Sequence, residues 1–300
     1  MITFKPVRLT DQTLLQPILQ QNPSLLCNWN FSNMIIWSEA FAPYYTFIND
    51  MLILAVMKDK NNPLFNFPIG NNNIKESMDA LIAYTRETKI VFRLINLTDD
   101  MKNIIEEIYP QQFTFEERRD QFDYIYKVED LLYLKGKKYQ SKRNHINKFK
   151  NSYSYQYTPM SAADISACAE MHTLWMEEND CGGDNCLLEL EYCAVRIALK
   201  LFDELSLKGG VLRVDNQVVA FTIGQAINDK IFDVQVEKAL KQYQGAYTMI
   251  NQQFVEHEMQ HFTYVNREED LNEAGLRQAK LSYHPSILLK KHMATLNEDL

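Results

Sequence analysis

Glycine is thin in this 300-residue sequence: 9 occur, where an average share of about 7% would give roughly 21. No G-x-G-x-x-G and no G-x-x-x-x-G-K-[ST] is present, which excludes, at the level of motif, a dinucleotide-binding turn and a Walker phosphate loop. A G-x-S-x-G elbow is missing too, so an α/β-hydrolase nucleophile is not indicated. Cysteine is sparse: Cys27, Cys168, Cys181, Cys186 and Cys193. An odd number at irregular spacing suits a reducing compartment, and the cytoplasm is the expected location. The spacing of Cys181, Cys186 and Cys193, with His172, does not make a zinc knuckle, and no metal is expected. The longest apolar run, Met51–Met57, has seven residues, far below the roughly 20 that span a bilayer. The N-terminal stretch lacks the charged and apolar regions of a signal peptide.

Acidic residues are absent from one place. Residues 135–150 carry seven basic groups and no carboxylate, in a chain whose formal net charge is −8. A protein that is acidic elsewhere and basic in one short segment is suited to one anion site, not to coating nucleic acid. What is present is ordinary for a folded protein: 46% hydrophobic and 23% charged residues. At about 100–200 residues per domain, the length implies two domains.

The element pattern divides the chain at its basic segment, into residues 1–134 and 135–300. In the first part, the periodicity predicts a strand near the start, a helix over 11–20 and a buried aromatic stretch from Trp29 to Tyr45. A hairpin follows over 46–56, turning at Asn49-Asp50, and then a strand over 63–69. Helices over 74–85 and 102–109 flank a strand at 90–95, with Thr98 as a cap and a final strand at 121–126. The second part opens with the basic helix 138–150. Ser161 with Asp164 forms a capping pair for a helix reaching 178. A second helix, a meander over 210–237 that turns at Asp215-Asn216, a helix over 245–259 and a strand over 261–266 come next. Both parts read as the same mixed α/β unit with a mixed sheet. The first contains only Gly70 before residue 136, so it is expected to shape the cleft or bind the acceptor, while the second holds the donor.

Several residues are candidates for chemistry. Strict alternation along 230–237 places Asp233 and Glu237 on one strand face, where either could take a proton from an acceptor. Arg267 follows a strand end, and with Arg277 and Lys280 it can reach phosphate or carboxylate oxygens. On the basic helix, Lys138, Lys142 and Arg143 are candidate anion or tRNA contacts. The turn Gln242-Tyr-Gln-Gly-Ala-Tyr247 opens a helix, whose first N–H groups and dipole attract phosphate.

That turn resembles the Q/R-x-x-G-x-G/A signature of the Gcn5-related N-acetyltransferases, with Tyr247 where the signature has a small residue. Residues 136–149 (GKKYQSKRNHINKF), 264–271 (YVNREEDL) and 275–285 (GLRQAKLSYHP) resemble the bacterial family related to the C-terminal domain of phosphatidylglycerol lysyltransferase. The resemblance implies two tandem Gcn5-related acyltransferase folds, shared with the Fem-type peptidyltransferases. It implies Gln242, Gln244, Gly245 and Ala246 as cofactor-binding positions, and Tyr283 as the acid that protonates a departing group. It also implies an acyl or aminoacyl transfer whose co-substrate, acyl-coenzyme A or aminoacyl-tRNA, is not covalently held. A small molecule, a lipid headgroup or a peptide would be the acceptor. The alternative is a non-catalytic anion- or RNA-binding module that keeps the fold.

Overall fold

The computed structural model describes residues 2–70, 73–179 and 186–297. Its strands are β1 (Lys5–Pro6), β2 (Pro43–Ile48), β3 (Met51–Val56), β4 (Leu64–Asn66), β5 (Arg93–Leu97), β6 (Phe113–Glu117) and β7 (Asp123–Lys127). They continue as β8 (Tyr155–Pro159), β9 (Lys208–Val214), β10 (Gln217–Ala226), β11 (Ile231–Ala239), β12 (Tyr264–Asn266), β13 (Ile287–Leu289) and β14 (His292–Leu296). The α-helices of the first half are α1 (Gln12–Gln21), α2 (Phe31–Ile36), α3 (Ser38–Phe41), α4 (Ile74–Thr88) and α5 (Asp99–Ile108). Then come α6 (Val128–Tyr133), α7 (Gln140–Ser152), α8 (Ile165–Glu178), α9 (Cys186–Lys200), α10 (Ala246–Glu258) and α11 (Ala274–Leu281).

The chain forms two compact units, each drawn from more than one stretch of the sequence. Unit 1 takes Met1–Asp123, Glu269–Ala274 and Leu288–Leu300; unit 2 takes Tyr124–Glu268 and Gly275–Ile287. In unit 1 the sheet runs β1-β2-β3-β4-β5-β14-β6. In unit 2 it runs β7-β12-β11-β10-β9-β8, with β13 beyond β7. Each sheet is an antiparallel meander followed by one parallel step across a helix: β4 to β5 through α4, and β11 to β12 through α10. The last part of each sheet is supplied from elsewhere in the sequence. β14, near residue 300, pairs with both β5 and β6 in unit 1, while β7 pairs antiparallel with β12 in unit 2.

Local chemistry accounts for most of these elements. Asn49-Asp50 and Asp215-Asn216 all have positive φ, as a two-residue hairpin turn requires, and Asn and Asp tolerate that conformation best after glycine. Thr98 Oγ1 accepts from the Met101 N–H at 3.4 Å and starts α5. Asp164 accepts from the Ser161 N–H at 2.7 Å and completes the predicted capping pair. The apolar strand Met51–Val56 is central in unit 1, beside a core that includes Phe65, Met78, Leu81, Phe92, Leu94 and Phe113. Helix α7 buries only Ile146 and Phe149, so its polar residues surround a narrow apolar seam.

Candidate active site

In unit 2, the parallel strands β11 and β12 pair only over Ile231↔Tyr264, Phe232↔Val265 and Asp233↔Asn266. β12 ends at Asn266, while β11 runs on to Ala239. Beyond Asp233 the two strands no longer pair, and the side chains of Glu237 and Arg267 lie at this opening.

A β-bulge sets which side chains reach it. β11 carries one more residue than β10 between the pairs Gly224↔Val234 and Ile223↔Val236. Glu237 therefore lies opposite Thr222, and Asp233 opposite Gln225. Thr222 and Gln225 project from opposite faces of β10, so Glu237 and Asp233 do as well. This corrects the shared face that strict alternation predicted. Asp233 is fully buried, at the last pair of the short parallel ladder and on the face opposite Glu237. The bulge also explains Gly224: a Cβ there would lie 2.1 Å from the Asp233 carbonyl oxygen.

Glu237 is held from two sides. Its Oε1 accepts from Arg267 Nη2 at 2.7 Å and its Oε2 from Asn251 Nδ2 at 2.9 Å. Both ion-pair side chains are 12% exposed, so removing either partner would strand a buried charge. Burial works against the Arg267 charge; Glu237, Tyr283 and Tyr126 outweigh it and raise its pKa. Arg267 Nη1 is buried and has no hydrogen-bond partner. The Arg267 guanidinium stands 4.7 Å from the Tyr283 ring centre, and Lys142 Nζ stands 3.8 Å from the same centre. One aromatic ring thus faces two cations. Burial and the Arg267 charge push the Lys142 ammonium down to about 8, with Glu237 acting the other way. Burial pushes the Tyr283 hydroxyl up, with the Arg267 charge acting the other way.

The other candidates fall in different places. Lys280 Nζ donates to the Arg267 carbonyl at 2.5 Å, so it fastens the backbone of the site. Arg277 is half-buried on α11 and Lys138 is exposed. Arg143 donates to the carbonyls of Leu134 and Gly136 and so closes the turn into α7. Gln242 and Gln244 are exposed. Gly245 has a left-handed backbone, φ +91, and its close neighbour is protein: a Cβ would lie 2.3 Å from the His145 carbonyl oxygen of α7. The Ala246 N–H donates to the Tyr243 carbonyl at 3.0 Å. Helix α7 therefore lies against the turn where the resemblance implied a pyrophosphate, and one of the needed N–H groups is already used. Tyr247 accepts from Trp175 Nε1 at 2.7 Å.

Sequence reasoning missed Tyr126, Thr248 and Asn251. The last two are buried polar residues three apart in α10, a spacing that aims both side chains to one side of a helix. Tyr126 needed knowledge that β7 joins this sheet.

Unit 1 holds a second polar cluster. Ligand atoms of Cys27, Asp123 and Glu269 lie within 4.8 Å of one another, but Lys291 Nζ fills the space. It donates to Asn28 Oδ1 at 2.6 Å and to Asp123 Oδ1 and Glu269 Oε1 at 2.7 Å each. Burial opposes that charge, and Asp123, Cys27 and Glu269 together raise its pKa well above the ordinary value. An ammonium sits where a metal would need to be. Cys181 lies outside the described residues, as does the side chain of Cys186; His172 is buried with neither ring nitrogen hydrogen-bonded.

The architecture is mixed α/β, with one mixed sheet in each of two units, and a solved protein described as a tandem GNAT protein shares the fold at 9% identity and a TM-score of 0.50. Residues 24–295 match the family described as "Phosphatidylglycerol lysyltransferase, C-terminal", and the chain belongs to it. It is similar to a solved conserved protein of unknown function from Bacteroides thetaiotaomicron, with 38% identity, a TM-score of 0.94, and 99% of this chain and 100% of that one covered. The C-terminal domain of a putative lysylphosphatidylglycerol synthetase from Agrobacterium fabrum shares the fold at 12% identity and a TM-score of 0.70, covering 96% and 92% of the two chains. An uncharacterised protein of Mycoplasmoides gallisepticum is 24% identical over 173 residues, 57% of this chain. The match spans 55% of that relative, about half its length. Among the described residues, no helix is long and apolar enough to cross a membrane.

Proposed function

We propose that unit 2 transfers an aminoacyl group from a charged tRNA to an amine or hydroxyl acceptor, with the reacting ester placed where β11 and β12 separate. The observation that carries this reading is Arg267: a guanidinium anchored to Glu237 through one nitrogen, with another nitrogen buried and without a partner. A donor fixed in a dry site and lacking an acceptor is suited to an oxygen that gains negative charge during acyl transfer. Acyl-coenzyme A is the competing donor. The packing of α7 against Gly245 speaks for tRNA, because the turn that would cradle a pyrophosphate is in contact with protein. The exposed lysines at 135, 137, 138, 148 and 150 offer a backbone-binding surface for a polyanion. The family name suggests a lipid headgroup as the first acceptor to try, with peptides and small amines beside it.

The test is lysyl-tRNA with phosphatidylglycerol vesicles, peptides or free amines, together with thermal stabilisation by charged tRNA, uncharged tRNA and coenzyme A. Charged tRNA is expected to stabilise the protein and to lose its aminoacyl group to an acceptor. Arg267→Met is expected to cut turnover by about 100-fold or more, the scale of losing an oxyanion donor. Binding of charged tRNA with no transfer to any acceptor would indicate a non-catalytic RNA-binding module. Stabilisation by coenzyme A alone would replace the donor.

A further inference from the structure

Acyl transfer to an amine or hydroxyl needs a group that accepts the acceptor's proton, and the acidic residues of unit 2 are poorly placed for it. Both carboxylate oxygens of Glu237 already accept hydrogen bonds, from Arg267 and Asn251. Asp233 is fully buried on the other face of β11. Tyr283, whose hydroxyl pKa is raised by burial, is suited to keeping a proton.

Lys142 stands apart. It projects from α7, half-buried, and its Nζ lies against the Tyr283 ring at 3.8 Å. Among the described residues its nitrogen has no hydrogen-bond acceptor and no carboxylate within ion-pair distance. We propose that Lys142 is the proton acceptor of the transfer step, a role that rests on the transferase reading above. The charged and titratable groups facing it are Arg267 after β12, Glu237 on β11 and Tyr283 after α11. Burial and Arg267 bring it to about 8, so near neutral pH a useful fraction is the free amine, the form a base requires.

The step balances without a further reactant. The acceptor nitrogen or oxygen attacks the ester carbonyl carbon and a new bond to that carbon forms. Its proton passes to neutral Lys142 Nζ. Collapse of the intermediate breaks the bond between the carbonyl carbon and the ribose oxygen of the carrier. That oxygen takes the proton back from the Lys142 ammonium, leaving the lysine neutral and the tRNA with a free hydroxyl.

Competitive labelling of the intact protein with trace acetic anhydride across pH 6–11 reads the titration of this one lysine. Lys142 is expected to react with a midpoint near 8, against about 10.4 for an ordinary lysine. A midpoint at the ordinary value overturns the proposal. In the tRNA assay, transfer is expected to fall about tenfold per pH unit below that midpoint. Lys142→Gln and Lys142→Arg are expected to lose at least 100-fold in kcat, with charged-tRNA Kd changed by less than about threefold. Added primary amines are expected to restore part of the loss in Lys142→Ala, which a merely structural lysine would not allow. Turnover that survives Lys142→Gln ends this role alone; a wild-type protein that neither binds nor turns over charged tRNA ends the transferase reading and this role with it.

Discussion

Lys291 shows how much one buried charge can organise. Its ammonium is wholly enclosed, and it ties Asn28, Asp123 and Glu269 to one point. These three residues come from segments that are far apart in the sequence. Removing the cation takes the ion-pair partner from two buried carboxylates of unit 1, and breaking a buried ion pair in this way costs about 3–5 kcal/mol. Lys291→Met is expected to lower the melting temperature by roughly 10 °C or more, since 1 kcal/mol shifts a unit of this size by about 2–4 °C. A double change, Lys291→Met with Asp123→Asn, is expected to recover part of the loss. Calorimetry of both variants checks this; a single variant that melts like the wild type would mean the cluster contributes no net stability.

At the scale of elements, Gly245 links two helices. Its backbone is left-handed and its Cα faces the His145 carbonyl. Gly245→Ala adds strain at that φ and forces α7 away from the start of α10, with an expected cost of roughly 2–4 kcal/mol. Denaturant unfolding reads the cost, and an unchanged midpoint would refute the packing argument.

The same glycine marks how far the sequence could be read. Its place at the start of a helix followed from the motif; what pressed against it did not, because nothing local says that α7 lies there. The hairpin turns, the Thr98 cap and the Ser161–Asp164 pair were legible, since each is set by residues within a few positions. Strand β6 and helix α6 were missed, being short and only partly apolar. The opposed faces of Asp233 and Glu237 were illegible for a different reason. A bulge is decided by how two strands pair, and a period-2 pattern has no means of recording the extra residue. Arg267 and Lys142 could be named singly, but their meeting on Tyr283 depends on three separate segments.

For the whole molecule, the two sheets depend on strands borrowed across the sequence. β14 lies between β5 and β6 and pairs with both. A chain ended after Lys291 lacks this strand and also the His292–Asp99 contact at 2.7 Å. Such a protein is expected to lose amide protection in β5 and β6 while β9, β10 and β11 stay protected, as hydrogen exchange would show. Equal protection in both proteins would mean that unit 1 closes without its last strand.

The exchanged strands also impose an order on biosynthesis. Domains ordinarily acquire their structure as units while the polypeptide emerges from the ribosome, the leading one first. Here the leading half must wait with a gap in its sheet until residues 292–296 have been made. The half begun first is the half finished last, and in the interval two unsatisfied strand edges stay open to chaperones or to the wrong partner.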